Sequence, residues 1–103
     1  MKYIILDGFV YGTGVRDVYS NEYVSVSDLD ISSDLKSKIV AWVVEYKRNQ
    51  IKVNTEEEEA AFRRLDELGL EYSFQIMKES KEYKVDYYYS DYFGTRKYLS
   101  NGP

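Results

Sequence analysis

Cysteine and histidine are both missing from the 103 residues of this chain. Without cysteine there is no disulfide framework, no thiol nucleophile and no thiolate metal site. Without histidine the chain lacks the commonest general base and the commonest metal ligand of proteins. The two absences exclude thiol and imidazole catalysis, and they predict a protein that holds neither a metal nor a cofactor.

Long apolar runs and positive charge are also scarce. The apolar stretch near the N-terminus ends at Asp7, far short of a signal-peptide core or of the ~18 residues that a membrane span requires. The formal net charge of −4 at pH 7 disfavours nucleic acid and anionic membranes as partners, because both attract basic surfaces. We therefore expect a cytoplasmic protein that binds neither nucleic acid nor membranes.

What the chain does have is the composition of a folded domain. Apolar residues make up 44% of it and charged residues 31%, which is typical of globular proteins rather than disordered ones. The length suits one domain with a modest core. We predict a single domain over residues 1–103, in which the last ~10 residues fray.

The N-terminus predicts a strand or a hairpin. Lys2–Leu6 is a short apolar run typical of a buried strand. Asp7-Gly8 is a turn signal, after which Phe9–Tyr11 can return as a second strand. Gly12 and Gly14 then interrupt regular structure. We interpret them as a turn, because a phosphate-binding loop needs a following helix with further glycines and the sequence that follows is polar and irregular.

The clearest element is a first helix that begins at Ser32 or Ser33. A serine can cap the helix, and Asp34 in the first turn suits the positive end of the helix dipole. Val40 and Val44 widen the apolar stripe of this helix, so we expect more than half of its circumference to be buried. The stripe, with a tryptophan that we assign to the core, consists of Leu35, Ile39, Trp42, Val43 and Tyr46.

Asn54 or Thr55 caps a second helix, whose first turn holds the carboxylates of Glu56–Glu59. Successive helical side chains point about 100° apart, so we interpret these carboxylates as a solvated helix start rather than a cation site. Gly69 leaves residues 70–78 open between two structures. Either the helix ends at the glycine and a strand follows, or the helix continues and the glycine lets it pack closely on the first helix.

The C-terminal segment 83–100 contains six of the tyrosines. Tyr83–Tyr89 predicts a strand, and we expect its face with Val85 to lie on the helices because that face carries no charge. Tyrosines on that face then belong to the core, with their hydroxyls at its rim. The aromatic residues left for the surface are Tyr88, Tyr92, Phe93 and Tyr98.

Two stretches carry a resemblance to a known family. EEEEAAFRRLDELGLEYSFQIMKESKEYKVDYYYS and the upstream VSVSDLDISSDLKSKIVAWVVEYKRN resemble, in spacing and element order, a widespread family of small bacterial proteins. Some of these resemble immunity proteins of polymorphic-toxin and contact-dependent inhibition systems. The resemblance covers about residues 24–90. It implies that residues 55–79 form one helix that is kinked or packed at Gly69, and it supplies no catalytic residues.

We therefore predict an α+β (α/β) domain in which two antiparallel helices pack on a small sheet, formed by the N-terminal strand or hairpin and the C-terminal strand. The predicted function is that of a non-catalytic acidic interaction protein, an immunity protein that blocks a basic secreted toxin, often a nuclease. Carboxylates steer the encounter and tyrosines anchor the complex. The predicted partner-binding residues are Tyr88, Tyr92, Phe93, Tyr98, Asp17, Glu22, Asp28 and Asp30.

Two other functions stay open at this point. One is a phage-encoded inhibitor that mimics the charge of nucleic acid. The other is a small enzyme that uses carboxylates such as Asp7, Asp17, Glu22 and Asp28, although no defined spacing pairs them. A base-stacking platform is disfavoured, because it needs a cationic groove beside its aromatic rings. A homodimer formed through an edge strand stays open as well.

Overall fold

The chain folds into one α+β unit, in which helices and strands form where the apolar residues follow helical and alternating patterns. The computed structural model describes residues 2–8, 12–50, 56–88 and 96–97, with the backbone alone for residues 50, 56–59 and 96–97. These residues form two helices packed on a mixed sheet with strand order β2-β1-β3-β4, which confirms the predicted architecture. The elements are β1 (Lys2–Asp7), β2 (Val15–Asp17), a 3₁₀ turn (Val26–Asp28), α1 (Ser33–Gln50), α2 (Glu56–Glu79), β3 (Tyr83–Tyr88) and β4 (Arg96–Lys97).

β1 is a central strand with a different partner on each side. It pairs in parallel with β3, where Leu6 lies opposite Tyr87, and antiparallel with β2, where Leu6 lies opposite Val15. Parallel neighbours need a long crossover connection, and α1 and α2 supply it. The predicted return strand at Phe9–Tyr11 lies outside the described residues. In the described part of the chain, β2 is the strand that returns along β1.

The core lies between the sheet and the two helices. The predicted apolar stripe of α1 is buried there in full, together with Ile4, Leu6 and the Val85 face of β3. The prediction that Val40 and Val44 join this core is wrong, because they are 48% and 47% exposed. The helix meets the sheet on one side and α2 beside it, so its remaining circumference faces outward.

The predicted cap at the start of α1 is confirmed. The Oγ of Ser32 accepts the backbone N–H of Leu35 at 3.2 Å. The same hydroxyl donates to Oε2 of Glu79 at 2.8 Å, and the backbone N–H of Ser32 donates to Oε1 at 2.6 Å. Because Glu79 is the last residue of α2, these bonds tie the start of α1 to the end of α2 and hold the helices antiparallel.

Residues 70–78 belong to the single helix α2, which continues through Gly69. The expected reason for the glycine is wrong, however. A Cβ placed on Gly69 would lie 2.1 Å from Cε1 of Tyr87, so the glycine makes room for a ring of β3 rather than for α1. Within the described residues, neither helix is long and apolar enough to cross a membrane.

Candidate functional site

The face of the sheet opposite the helices carries the alternate side chains of β1, β2 and β3. Successive side chains of a strand point to opposite faces, and Ile4, Leu6 and Val85 lie in the core on the helix side. Their neighbours lie on the other side, aligned by the strand register. We call this set the outer face, and its members are Tyr3, Ile5, Asp7, Arg16, Lys84, Asp86 and Tyr88.

Arg16 joins the strands of the outer face to each other. Its Nη2 lies 3.2 Å from Oδ2 of the buried Asp7, and the hydroxyl of Tyr23 donates to that same oxygen at 3.0 Å. The guanidinium lies 6.0 Å from the ring centroid of Tyr88 and donates to Oδ1 of Asn21 at 3.1 Å. One cation thereby compensates a buried carboxylate and covers an aromatic ring.

A second group with the same composition surrounds Tyr3. The hydroxyl of Tyr3 donates to Oδ2 of Asp86, a fully buried carboxylate. The ammonium of Lys84 lies 4.6 Å from the centroid of the Tyr3 ring. A third ring, that of Tyr19, meets Tyr3 edge to face with the centroids 5.9 Å apart. Carboxylate, phenol ring and cation are therefore combined twice on this face.

Tyr19 stands on a tight hairpin turn that follows β2, and we call residues 17–22 the Asp17–Glu22 turn. The backbone N–H of Asp17 donates to the carbonyl of Glu22 at 2.8 Å. Oδ1 of Asp17 accepts the N–H groups of Tyr19 and Ser20 at 2.8 and 3.0 Å. Asn21 has a φ of 61°, a left-handed conformation that asparagine tolerates. These contacts fix the backbone beneath Tyr19, whose side chain is 77% exposed.

The acidic residues predicted from the sequence lie at one end of the sheet. The N–H of Val18, inside the turn, donates to the carbonyl of Tyr3 at 3.0 Å. The N–H of Asp30 donates to the hydroxyl of Tyr83 at 2.8 Å, and Tyr83 is the β3 residue opposite Lys2. Both contacts lie where β1 and β3 begin. We call this region the acidic end, and its members are Asp17, Glu22, Asp28 and Asp30.

The predicted aromatic residues are placed differently. Tyr88 lies opposite Asp7 near the far end of β1, on the outer face. Asp17 lies opposite Ile4 and so points to the helix side of the sheet. The structure therefore does not bring Tyr88 and the acidic end together. Tyr92, Phe93 and Tyr98 lie outside the described residues.

The tyrosine beside the acidic end is Tyr19, which the sequence reasoning missed. The cluster of turn-forming residues around it, Asp17, Ser20 and Asn21, could have located it. Such residues between two β-prone segments predict a turn, and the tip of a hairpin turn exposes whatever side chain it carries.

A separate polar group lies inside the core. Oδ1 of the buried Asp66 accepts the hydroxyls of Tyr46 at 2.9 Å and of Tyr87 at 2.5 Å. Burial, and then the nearby carboxylate, raise the pKa of the Tyr87 phenol far above its ordinary value, so this phenol stays protonated and donates. The prediction that the core tyrosines direct their hydroxyls to the rim holds for Tyr83, beside Asp30, and is wrong for Tyr87. The group ties α1, α2 and β3 together.

Two of the four carboxylates that an enzyme could have used make structural contacts instead. Asp7 pairs with Arg16 and Tyr23, and Asp17 caps its turn; Glu22 and Asp28 are exposed. Across the described ranges, no three acidic side chains gather into a possible metal site. The chain matches no protein-family model, and no curated protein is similar to it in sequence.

Proposed function

We propose that this chain is a non-catalytic, acidic protein-binding domain, and that it acts as a cytoplasmic immunity protein that binds and blocks a basic bacterial toxin such as a nuclease. The observation that supports this most is the acidic end. Exposed carboxylates stand there on backbone fixed by hydrogen bonds, beside an exposed aromatic ring. Such a surface suits a cationic partner.

The distribution of charge at this end supports a cationic partner. The chain has a net charge of −4, and Glu22, Asp28 and Asp30 are exposed. Two cations near the same end have contacts within the protein. Lys2 and Lys84 lie over tyrosine rings, at 5.9 and 4.6 Å from the centroids. The exposed carboxylates attract a cationic partner over distances up to a screening length of ~10 Å.

The backbone of the Asp17–Glu22 turn is held in place by hydrogen bonds, which suits a binding surface better than a catalytic loop that has to move. Association costs free energy whenever it orders side chains or segments, and a surface already held in place avoids much of that cost. Hydrogen bonds between or onto its own backbone groups hold the Asp17–Glu22 turn. The buried acids of the outer face, Asp7 and Asp86, have partners inside the chain, which leaves the exposed acids for recognition.

The experiment is a protection assay with the product of the reading frame that lies directly beside the gene for this chain, taken as the candidate toxin. Bacteria express the toxin domain with or without the chain, and the purified proteins are then mixed to measure a stable complex. We expect restored growth together with a complex of the two proteins. Protection without a complex would instead favour an enzyme. The absence of both protection and a complex would contradict the proposal.

A further inference from the structure

The outer face and the adjoining turn present three tyrosine rings with nearby carboxylates, and two of these rings are covered by a cation. Lys84 lies over Tyr3, whose hydroxyl bonds Asp86. Arg16 lies over Tyr88 and pairs with Asp7. Tyr19 lies between Asp17 and Glu22 in the sequence of the turn, and among the described residues no cation lies over its ring.

We propose that Tyr19 receives a cation from the partner, an arginine or lysine side chain that stacks on the phenol ring while the carboxylate of Glu22 pairs with it. This rests on the proposed function and adds the chemical class of side chain that the acidic end recognises. The partner surface is one that presents a protruding guanidinium or ammonium group.

The geometry of Tyr19 suits this role. The side chain is 77% exposed, and its ring is supported from one direction by the edge-to-face contact with Tyr3. Asp17 holds the backbone of Tyr19 and Ser20 from below. The ring is therefore held in position before binding, which lowers the entropy cost of stacking a cation on it.

Charge favours a cation over an apolar occupant. The face of an aromatic ring carries negative potential, and an arginine guanidinium is the cation found there most often. Glu22 is exposed in the same turn as Tyr19, so one short surface segment offers a carboxylate and an exposed ring. An apolar partner group would have to remove water from those carboxylates without compensation.

The test uses a tetra-arginine peptide as the probe and follows the backbone amide signals of the ¹⁵N-labelled chain by NMR. We expect saturable shifts centred on residues 17–22, with a weaker response to tetra-lysine and none to a tetra-glutamine peptide. Tyr19→Ala should weaken binding about threefold or more, whereas Tyr19→Phe, which keeps the ring, should bind like the parent.

Phe74→Ala is the matched control, because Phe74 is another exposed aromatic, 54% exposed, on α2. It should leave the titration unchanged. Shifts that centre elsewhere, or a Tyr19→Ala chain that binds the peptide like the parent, would overturn the inference. The proposed function is separable from it: a toxin complex that forms equally well with Tyr19→Ala overturns the inference alone. A positive peptide titration beside a failed toxin assay overturns the proposed function and supports the cation site.

Discussion

Gly69 in the middle of α2 lies against the ring of Tyr87 in β3, so closely that a Cβ on the glycine would be 2.1 Å from Cε1 of that ring. The contact explains a residue that helix propensity disfavours by about 1 kcal/mol. It also sets the distance at which α2 crosses the strand, because the buried ring cannot move toward solvent without leaving Asp66.

Gly69→Ala should therefore destabilise the protein although alanine favours helix. Overpacking a core costs about 1–3 kcal/mol, and the gain in propensity offsets about 1 kcal/mol of that. We expect a lower melting temperature by calorimetry. Ser37→Ala, at an exposed position of α1, is the control and should change little. A Gly69→Ala chain that melts higher than the parent would show that the ring has room to shift.

Trp42→Ala should lower the free energy of unfolding by about 3–5 kcal/mol. The indole is 3% exposed, and its Nε1–H donates to the carbonyl of Leu65 at 2.7 Å, so the change removes both packing and a buried hydrogen bond. Val44→Ala, on the outward side of the same helix, is the control and should cost far less. Equal losses in the two variants by urea denaturation would contradict the assigned core.

Tyr87→Phe tests the buried group around Asp66. The change removes a hydroxyl that donates to a buried carboxylate, so we expect a loss of about 1.5–3 kcal/mol in the free energy of unfolding at neutral pH. Tyr19→Phe, which removes an exposed hydroxyl, should be nearly neutral. If the two variants are equally stable, the buried hydroxyl contributes nothing to the fold.

The same residue predicts a dependence on alkaline pH. Burial and the nearby carboxylate raise the pKa of Tyr87 above its ordinary value of 10.0, so the folded protein holds the proton longer than the unfolded chain does. The stabilisation is complete below pH ~10 and falls as pH rises above that value, by ~1.4 kcal/mol per pH unit. The deficit of Tyr87→Phe relative to the parent should therefore shrink in urea titrations at rising alkaline pH. A constant deficit would contradict the raised pKa.

Arg16→Ala should destabilise the outer face. The change leaves the buried Asp7 without its cation and removes contacts to Tyr88 and Asn21. Since the pair is partly exposed, we expect a loss of about 1–3 kcal/mol rather than the larger cost of a fully buried pair. Lys38→Ala breaks an exposed pair with Asp34 and is the control, expected to cost less than about 1 kcal/mol. Similar melting temperatures for both variants would contradict the bridging role of Arg16.

The helices and the core strands could be predicted from the sequence because their signals are local. Ser32 and the apolar stripe through Trp42 define α1, and alternation through Val85 defines the buried face of β3. Val40 and Val44 were wrongly assigned to the core, because the apolar pattern of a helix does not show how much of its surface other elements cover. The sequence could not decide whether the helix ends at Gly69 or continues through it. The residue that explains the glycine, Tyr87, lies on another element, and helix propensity depends only on local sequence.

The candidate site was harder to predict, since it depends on which strands become neighbours. The parallel pairing of β1 with β3 brings Tyr3 beside Lys84, and sequence separation hides that relationship. The four acids were chosen as surface residues, and Asp17 turned out to cap the turn that presents Tyr19. Tyr88, chosen as a surface anchor, is half-buried beneath Arg16.

Association kinetics with the partner identified in the protection assay will show whether the acidic end of this chain receives a basic protein. The variant replaces Glu22, Asp28 and Asp30 by glutamine or asparagine, and Val40→Ala with Val44→Ala serves as the control on another face. Exposed charges act mainly on the rate of encounter. We expect the neutralised chain to associate more slowly and with a weaker salt dependence, at an unchanged melting temperature. An association rate and salt dependence equal to those of the parent would contradict it.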